Sequence, residues 1–328
     1  MRKHLLIGTI TVYNWNEVAP FFNSYMKAGF ENCDCVMFVE NMTNRTIEKI
    51  KSCGVQVYPT PEYLGKYRIV DYRWKVYEDF INANPEKYDM VYTTDIRDVI
   101  FQRDLFKDYE GHQPFLGVAV EDGAFSTEKS GHKDFFIGTY GLEAYEKYKD
   151  ERIICMGTVG GTAAEFCEFC RIMWEILSSE RIYHLEHVEH VAGCDQAVAN
   201  YLLYNDKLFN DILIVSDNET GHVMTIGITE PENVKLDAKG RVLNGEGKIA
   251  AVVHQYDRKP EVIKVVLKKY CEGTSFFSRF ILKHNNNKFI HFCKRLMNFV
   301  HRESKRGNLF NSLAGSIYRR LGVKKKKS

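Results

Sequence analysis

Four consecutive residues, Asp95-Ile96-Arg97-Asp98, set two carboxylates around a guanidinium at the end of a β-forming run, Met90-Val91-Tyr92-Thr93. The run is short enough for a buried strand. Carboxylates at the carboxyl end of a strand lie where open α/β sheets bind their ligands. Paired carboxylates offer hard oxygen donors to Mg²⁺ or Mn²⁺, and such ions keep substrate phosphates in their coordination shell. The arginine between them is suited to a diphosphate oxygen. Acids after a strand also cap the next element, so the segment taken alone allows both roles.

Two later segments carry chemistry of the same kind. Asp195 and Gln196, in Gly193-Cys194-Asp195-Gln196-Ala197-Val198-Ala199-Asn200, open a helical stretch, where an Asp also serves as an N-cap. His254, in His254-Gln255-Tyr256-Asp257-Arg258-Lys259-Pro260, follows an apolar strand and opens a polar loop. It therefore belongs at a strand end, and its imidazole suits Mn²⁺ better than Mg²⁺.

In this order the three segments resemble the signatures of the retaining family-eight GT-A glycosyltransferases, which use nucleotide-sugar donors. Those signatures are an Asp-x-Asp, an Asp-Gln-Asp-x-x-Asn and a late His followed by Lys-Pro. The resemblance covers roughly residues 3–260. It implies a GT-A fold, a Rossmann-like α/β architecture with a mixed, mostly parallel sheet flanked by helices. It implies Mn²⁺ (or Mg²⁺) held by Asp95, Asp98 and His254, with a nucleotide sugar, a UDP-sugar, as donor. Thr9, Thr11 and Tyr13 at the exit of the first strand fall to the nucleotide, with Lys66 and Arg68 as a further basic donor contact. Arg97 and Lys259 fall to the diphosphate, and Asp195 and Gln196 lie nearest the anomeric carbon, whose configuration is retained. Glu121 and Asp122, ending another strand, are expected at acceptor hydroxyls.

The chain departs from that pattern at two points. The second Asp of the first signature is Arg97, with an acid one step later at Asp98. Either Asp98 replaces it, or Arg97 takes over part of the metal's neutralising role. The third acid of the second signature is Ala197, and the last has one residue fewer between His and Lys.

Each candidate also has an ordinary structural role. Tyr13 fits a packed turn, and Lys66 and Arg68 fit surface pairing with acids around Asp71 and Glu78. His184, His187 and His190 drift around a helix and read as solvated rather than zinc-binding. Cys167-Glu168-Phe169-Cys170 reads as burial on an apolar helix face, not as a metal or redox pair.

The elements that must position these groups alternate strand and helix, as a parallel sheet requires. Strands are expected at 4–12, 35–39, 55–58, 115–120 and 153–156, with late strands at 223–227 and 249–254. Helices are expected near 17–27, 67–83 and 163–177, with another from Asp195 to Tyr204. The small-residue run from Gly157 to Thr162 reads as a tight turn that lets backbone approach a sugar.

The chain has 328 residues, 45% of them hydrophobic and 13% aromatic, enough for a large core. The net charge of +2 hides an asymmetry: from Val262 onward there are 17 Lys and Arg against two Asp and Glu. The expected division is therefore a catalytic domain at 1–261 and a basic, amphipathic helical extension at 262–328. Apolar residues recur at helical spacing at Phe289, Cys293, Leu296 and Val300, and again at Leu309, Leu313, Ile317 and Leu321. A stretch of this kind suits an anionic membrane surface, and no nucleic-acid stacking motif accompanies it. A solvated tail on a packed helical pair is the alternative.

No run approaches the ~18 apolar residues of a membrane span, and no secretory signal is evident. Nine cysteines suggest no disulfide framework. The expectation is a cytoplasmic protein, peripheral at the inner face of the membrane, acting on a glycan or lipid-linked acceptor. A nucleotidyltransferase and a non-catalytic, membrane-tethered binding protein remain the other classes these residues allow.

Overall fold

The structure is a computed structural model and describes residues 2–128 and 131–284. A first compact unit runs to Arg279, and a second begins at Phe280.

The chain opens with β1 (Lys3–Thr11), α1 (Trp15–Lys27), β2 (Cys33–Glu40), α2 (Asn44–Lys51) and β3 (Gln56–Pro59). These are followed by α3 (Ile69–Asn82), β4 (Tyr88–Thr94), β5 (Val99–Phe101), β6 (Leu116–Ala124) and α4 (His132–Tyr148). Next come β7 (Arg152–Thr162), α5 (Ala163–Leu177), α6 (Glu180–His187), α7 (Cys194–Tyr204), β8 (Leu213–Ser216) and β9 (Val223–Thr225). The last elements are β10 (Lys235–Leu236), β11 (Val242–Leu243), β12 (Val252–His254), α8 (Pro260–Lys269) and α9 (Phe276–Lys283). A ten-stranded sheet has the order β3-β2-β1-β4-β7-β6-β9-β12-β5, with β8 on β6.

The N-terminal half is the alternating βα arrangement expected from the sequence. β3, β2, β1 and β4 are all parallel. β1 buries Leu5, Leu6 and Ile7 completely, as a strand covered on both faces must. Helices α3 and α5 close one face, with Trp74 set edge-on against Phe169. On the other face α1 packs Phe21 and Phe22 into the core, and its start is fixed by a capping box between Asn14 and Glu17. β7 then runs antiparallel to both β4 and β6 and makes the sheet mixed.

Sheet register builds one row of residues across the carboxyl ends of three strands. Glu121 of β6 pairs with Thr225 of β9, Thr225 pairs with His254 of β12, and His254 pairs with Val99 of β5. Asp98 immediately precedes Val99. Residues far apart in sequence are thus neighbours by strand pairing alone.

Three expectations need correction. Gly157 to Thr162 is not a turn, because β7 is one strand through Thr162. Its pairing with β6 jumps from Val159 opposite Val118 to Cys155 opposite Ala119, so Met156, Gly157 and Thr158 form a bulge. The glycines serve close packing: a Cβ at Gly160 would lie 2.0 Å from the Tyr92 ring. Secondly, the first compact unit does not end at 261. Helix α8 buries Val262, Ile263 and Val266, and Asn23 Nδ2 donates to the Tyr270 carbonyl at 2.8 Å. Thirdly, α4 had no counterpart among the expected helices.

The two apolar stripes of the basic extension lie outside the described residues. Among the described residues no helix is long and apolar enough to cross a membrane, and no cysteine is in a disulfide.

Candidate active site

Asp95 follows the last residue of β4. Its backbone N–H donates to the Gly157 carbonyl at 2.7 Å, so the β7 bulge holds it in place. Asp98 lies three residues on, just before β5. His254 ends β12, and its ring is buried with Nδ1 3.4 Å from Thr225 Oγ1 and 3.6 Å from Cys155 Sγ. Those contacts fix the ring so that Nε2 faces the acids, 3.5 Å from Asp95 Oδ2 and 3.9 Å from Asp98 Oδ1.

The three residues offer one ligand atom each, all within 4.8 Å of one another. Their fit to a divalent cation rests on two features. His254 Nε2 is buried and makes no hydrogen bond. An ion about 2.1 Å from each ligand atom spans such gaps with only a small closing movement. Gly157 keeps the space open: a Cβ there would lie 2.7 Å from His254 Nε2 and 2.9 Å from Asp95 Oδ2.

The protonation of the cluster follows from its neighbours. Burial opposes charge on Asp95, but the nearby His254 ring and the Arg73 guanidinium outweigh it and hold its carboxyl below the usual range. Burial raises Asp98, with Asp95 adding to the effect and His254 and Arg97 opposing it. Burial disfavours charge on His254, yet the Cys155 sulfur and the Asp95 and Asp98 carboxylates together raise its pKa well above that of a free imidazole. Cys155 is itself held as a neutral thiol by burial, so the carboxylates are the effective cause. Without a cation, this site holds a proton in its place.

Arg73 was not among the sequence candidates, yet it joins the two acidic motifs. Its Nη1 lies 3.2 Å from Asp95 Oδ1 and its Nη2 3.1 Å from Asp195 Oδ2. Nη2 also donates to the Met156 carbonyl of the bulge at 3.0 Å, and Nε has no hydrogen-bond partner. The signal was in α3 itself, where Arg73 interrupts the buried run Tyr72, Trp74, Val76 and Tyr77. A charge on that face needs partners.

A cavity of about 210 Å³ opens over this cluster, lined by Thr9, Thr11, Tyr13, Arg73, Asp95, Arg97 and Asp98 among others. The two acids and the arginine of the first motif are thus brought together with the exit of β1. The two readings of the Asp95–Asp98 segment are not exclusive. Asp98 joins the ligand cluster, while Arg97 lines the cavity and pairs with Asp98 at 3.3 Å and Asp257 at 3.4 Å.

Asp195 and Gln196 begin α7 after Gly193, whose φ of 66° makes the turn into the helix. Burial raises Asp195, and Arg73 opposes the rise. Beyond it lies Asp71, fully buried, with burial and then Asp195 and Glu186 pushing its carboxyl up to about 9. Asp71 is therefore a neutral acid near pH 7.

Thr9 and Thr11 aside, the remaining candidates lie outside this cavity. Arg68 pairs with Glu186 at 3.0 Å, and exposed Lys66 stacks on Tyr67. Lys259 is buried, with Nζ donating to the Thr229 carbonyl. Thr9 and Thr11 share hydrogen bonds with Tyr77 and Glu40. Glu121 sits at the buried end of the row beside Thr225. Asp122 instead lines a second, larger cavity of about 760 Å³ with Thr127, Arg152, Asn218 and Thr229. That cavity is bigger, but the group that could hold a metal ion, Asp95, Asp98 and His254, adjoins the smaller one.

No protein-family model matches the sequence, and no curated protein matches it. Solved structures with a related outline include the glycosyltransferase GlyE of Streptococcus pneumoniae TIGR4, at 11% identity and a TM-score of 0.45. The match covers 78% of this chain and 55% of GlyE, so the chain spans little more than half of that protein. The galactosyltransferase LgtC, solved with donor and acceptor sugar analogs, is 14% identical with a TM-score of 0.45. That match covers 76% of this chain and 86% of LgtC. Likeness of this degree carries no reaction across, so the chemistry is argued from the chain's own residues.

Proposed function

We propose that this chain is a metal-dependent glycosyltransferase that moves a sugar from a nucleotide-diphosphate donor, a UDP-sugar, to a glycan acceptor. The observation that carries the reading is the cluster of Asp95, Asp98 and His254, whose two acids line a cavity together with Thr9, Tyr13, Arg73 and Arg97. Few reactions need carboxylate, imidazole and guanidinium groups around one small cavity at strand ends. Departure of a nucleoside diphosphate is one of them.

Asp95, Asp98 and His254 would hold Mn²⁺ or Mg²⁺, which supplies Lewis-acid stabilisation of the departing diphosphate. Arg97, which lines the cavity, would meet the same developing negative charge. Thr9, Thr11 and Tyr13 take the nucleoside side. Asp195, kept in place by Arg73, and Gln196 take the sugar side, where a carboxylate and an amide stabilise positive charge at the anomeric carbon. In this reading the sugar's bond to the diphosphate breaks, a bond to the acceptor oxygen forms as its hydroxyl proton passes to the departing diphosphate, and configuration is retained. The acceptor approaches from the side of Asp122, since Glu121 is completely buried. Lys66, Arg68 and Lys259 have no part in this scheme unless they move from their present partners.

The acceptor is proposed to be lipid-linked or part of a cell-envelope polysaccharide, made at the cytoplasmic face. The basic extension would keep the enzyme on an anionic membrane. That part rests on sequence, since the extension lies outside the described residues.

Incubation with a panel of nucleotide sugars and Mn²⁺ tests the reading. Release of free nucleoside diphosphate supports it. Pyrophosphate from a nucleoside triphosphate and a sugar phosphate would instead make the protein a nucleotidyltransferase. No turnover with any donor would make it a binding protein.

A further inference from the structure

The N-termini of α4 and α7 meet beside the acid cluster. A Cβ at Gly193 would lie 2.4 Å from the Phe135 ring, so only glycine allows this approach. In the first turn of each helix, Gln196 Nε2 lies 2.6 Å from His132 Nδ1. His132 Nε2 in turn lies 3.2 Å from Glu121 Oε1. Glu121 is completely buried, and neither of its oxygens accepts a hydrogen bond from any described group, His132 included. The backbone at His132 is itself held, because the Glu128 carboxylate accepts from Gly131 N at 3.1 Å and Lys133 N at 2.9 Å. Glu121, His132 and Gln196 thus form a chain from the buried end of β6 to the start of α7.

The amide nitrogen set against the ring dictates the protons of this chain. An amide nitrogen only donates, so Gln196 Nε2 requires an unprotonated Nδ1 on His132. The ring then carries its proton on Nε2, facing Glu121. A proton on Nδ1 would require the reversed amide, with Nδ1–H donating to Gln196 Oε1, so the Nδ1 proton distinguishes the two arrangements.

We propose that His132 is a positioning residue: it holds the Gln196 amide nitrogen through Nδ1, sets Nε2 beside the Glu121 carboxyl, and so keeps the Gln196 carbonyl oxygen for the donor sugar. The inference rests on the reading of Asp195 and Gln196 as the sugar end of the site. Nothing in the sequence signalled it, because His132 lies 64 residues from Gln196.

The test uses the full-length chain with Mn²⁺ and the donor found to turn over, comparing wild type, His132→Ala, His132→Asn, Gln196→Ala and the His132→Ala/Gln196→Ala double variant. His132→Ala is expected to lower kcat about tenfold or more, with donor KM within about twofold. His132→Asn restores most of kcat, since its side-chain oxygen can replace Nδ1 as the acceptor. The double variant is no worse than Gln196→Ala, because one residue acts through the other. Imidazole ¹⁵N shifts of wild type give a second readout that needs no turnover: Nδ1 unprotonated and Nε2 protonated.

Wild-type kcat in His132→Ala where Gln196→Ala is impaired would overturn the proposal. Multiplicative losses in the double variant, or a proton on Nδ1, would also do so. If no donor turns over, the proposed function fails separately. The ¹⁵N tautomer then decides alone whether His132 holds the amide.

Discussion

Arg73 Nη2 lies 3.1 Å from Asp195 Oδ2, in a site where the arginine side chain is only 8% exposed and the carboxylate 10%. The same guanidinium reaches Asp95, so one buried cation serves acids from the end of β4 and the start of α7. Removing it leaves buried charge uncompensated, which typically costs about 3–5 kcal/mol. Arg73→Ala is therefore expected to lower the urea midpoint strongly and abolish turnover. Arg73→Lys restores charge but not the two-pronged geometry, so it should recover stability in part and turnover little. Denaturant melts beside donor-hydrolysis assays check both. Wild-type stability in Arg73→Ala would mean that the two acids are not held by this residue.

The ligand cluster makes a prediction about protons. His254 holds a proton when no cation is bound, and an imidazole must lose it to coordinate. Mn²⁺ affinity should rise with pH, and binding should release a proton. Calorimetry in buffers of different ionisation enthalpy measures that release directly. Asp95→Ala should reduce Mn²⁺ binding and lower turnover on the order of 10³-fold, with the fold intact by circular dichroism. Full activity in excess chelator would exclude the metal-dependent reading.

Gly157 tests the same cluster from the strand side. A Cβ at this position meets the His254 ring at 2.3 Å and the Asp95 carboxylate at 2.9 Å. Gly157→Ala must push His254 off its line with the acids. It should weaken Mn²⁺ binding at least tenfold while costing roughly 1–3 kcal/mol of stability, the usual range for overpacking. Gly160→Ala is the control, since its Cβ would strike the Tyr92 ring at 2.0 Å on the core side. It should destabilise the fold without a specific effect on Mn²⁺ affinity in the fraction that remains folded.

How much of this was legible in the sequence depends on the range of each interaction. The strands ending at Thr94 and His254, the α7 start at Asp195 and the alternation in the N-terminal half follow local pattern, and the sequence shows them. The row Glu121–Thr225–His254–Val99 depends on register between distant strands, which no local pattern encodes. The β7 bulge looked like a turn because glycines placed for close packing resemble glycines placed for chain reversal. Helix α4 was hidden by Gly138 and by Gly141, whose φ of 86° kinks it. Arg73 could have been found by asking why a charge sits on the apolar face of α3.

Asp71 gives a prediction about stability and pH. Its carboxyl, at about 9 in the folded protein, lies far above the ~3.9 of an unfolded aspartate. Between those values the folded state keeps a proton that the unfolded state has lost. This group's contribution therefore falls as pH rises from about 4 towards 9, by at most ~1.4 kcal/mol per pH unit. Asp71→Asn replaces the neutral acid with a neutral amide of the same shape, and it removes the loss. Relative to wild type, the variant should gain stability between pH 5 and pH 8, by about a few kcal/mol on the same linkage. Urea melts at the two pH values measure it. A constant difference would mean that Asp71 is ionised in the folded protein.

The final prediction separates the compact unit from the basic extension. Truncation after Lys264 cuts through α8 and removes Val266 and the Tyr270 carbonyl that accepts from Asn23, so it should unfold the protein. Truncation after His284 leaves all of the first unit and every residue placed in the active site. That shorter chain should fold, bind Mn²⁺ and hydrolyse donor as the full chain does. The residues it lacks include Lys324, Lys325, Lys326 and Lys327 and the two apolar stripes. Full-length protein should therefore sediment with vesicles rich in phosphatidylserine at low salt, and the chain truncated after His284 should not. Raising salt should release the full-length protein, because screening weakens attraction between the lysines and the lipid headgroups. Equal sedimentation of both chains would place any membrane contact on the first unit. Sedimentation of neither would remove the membrane from the proposed function and leave the transferase reading to stand on the site alone.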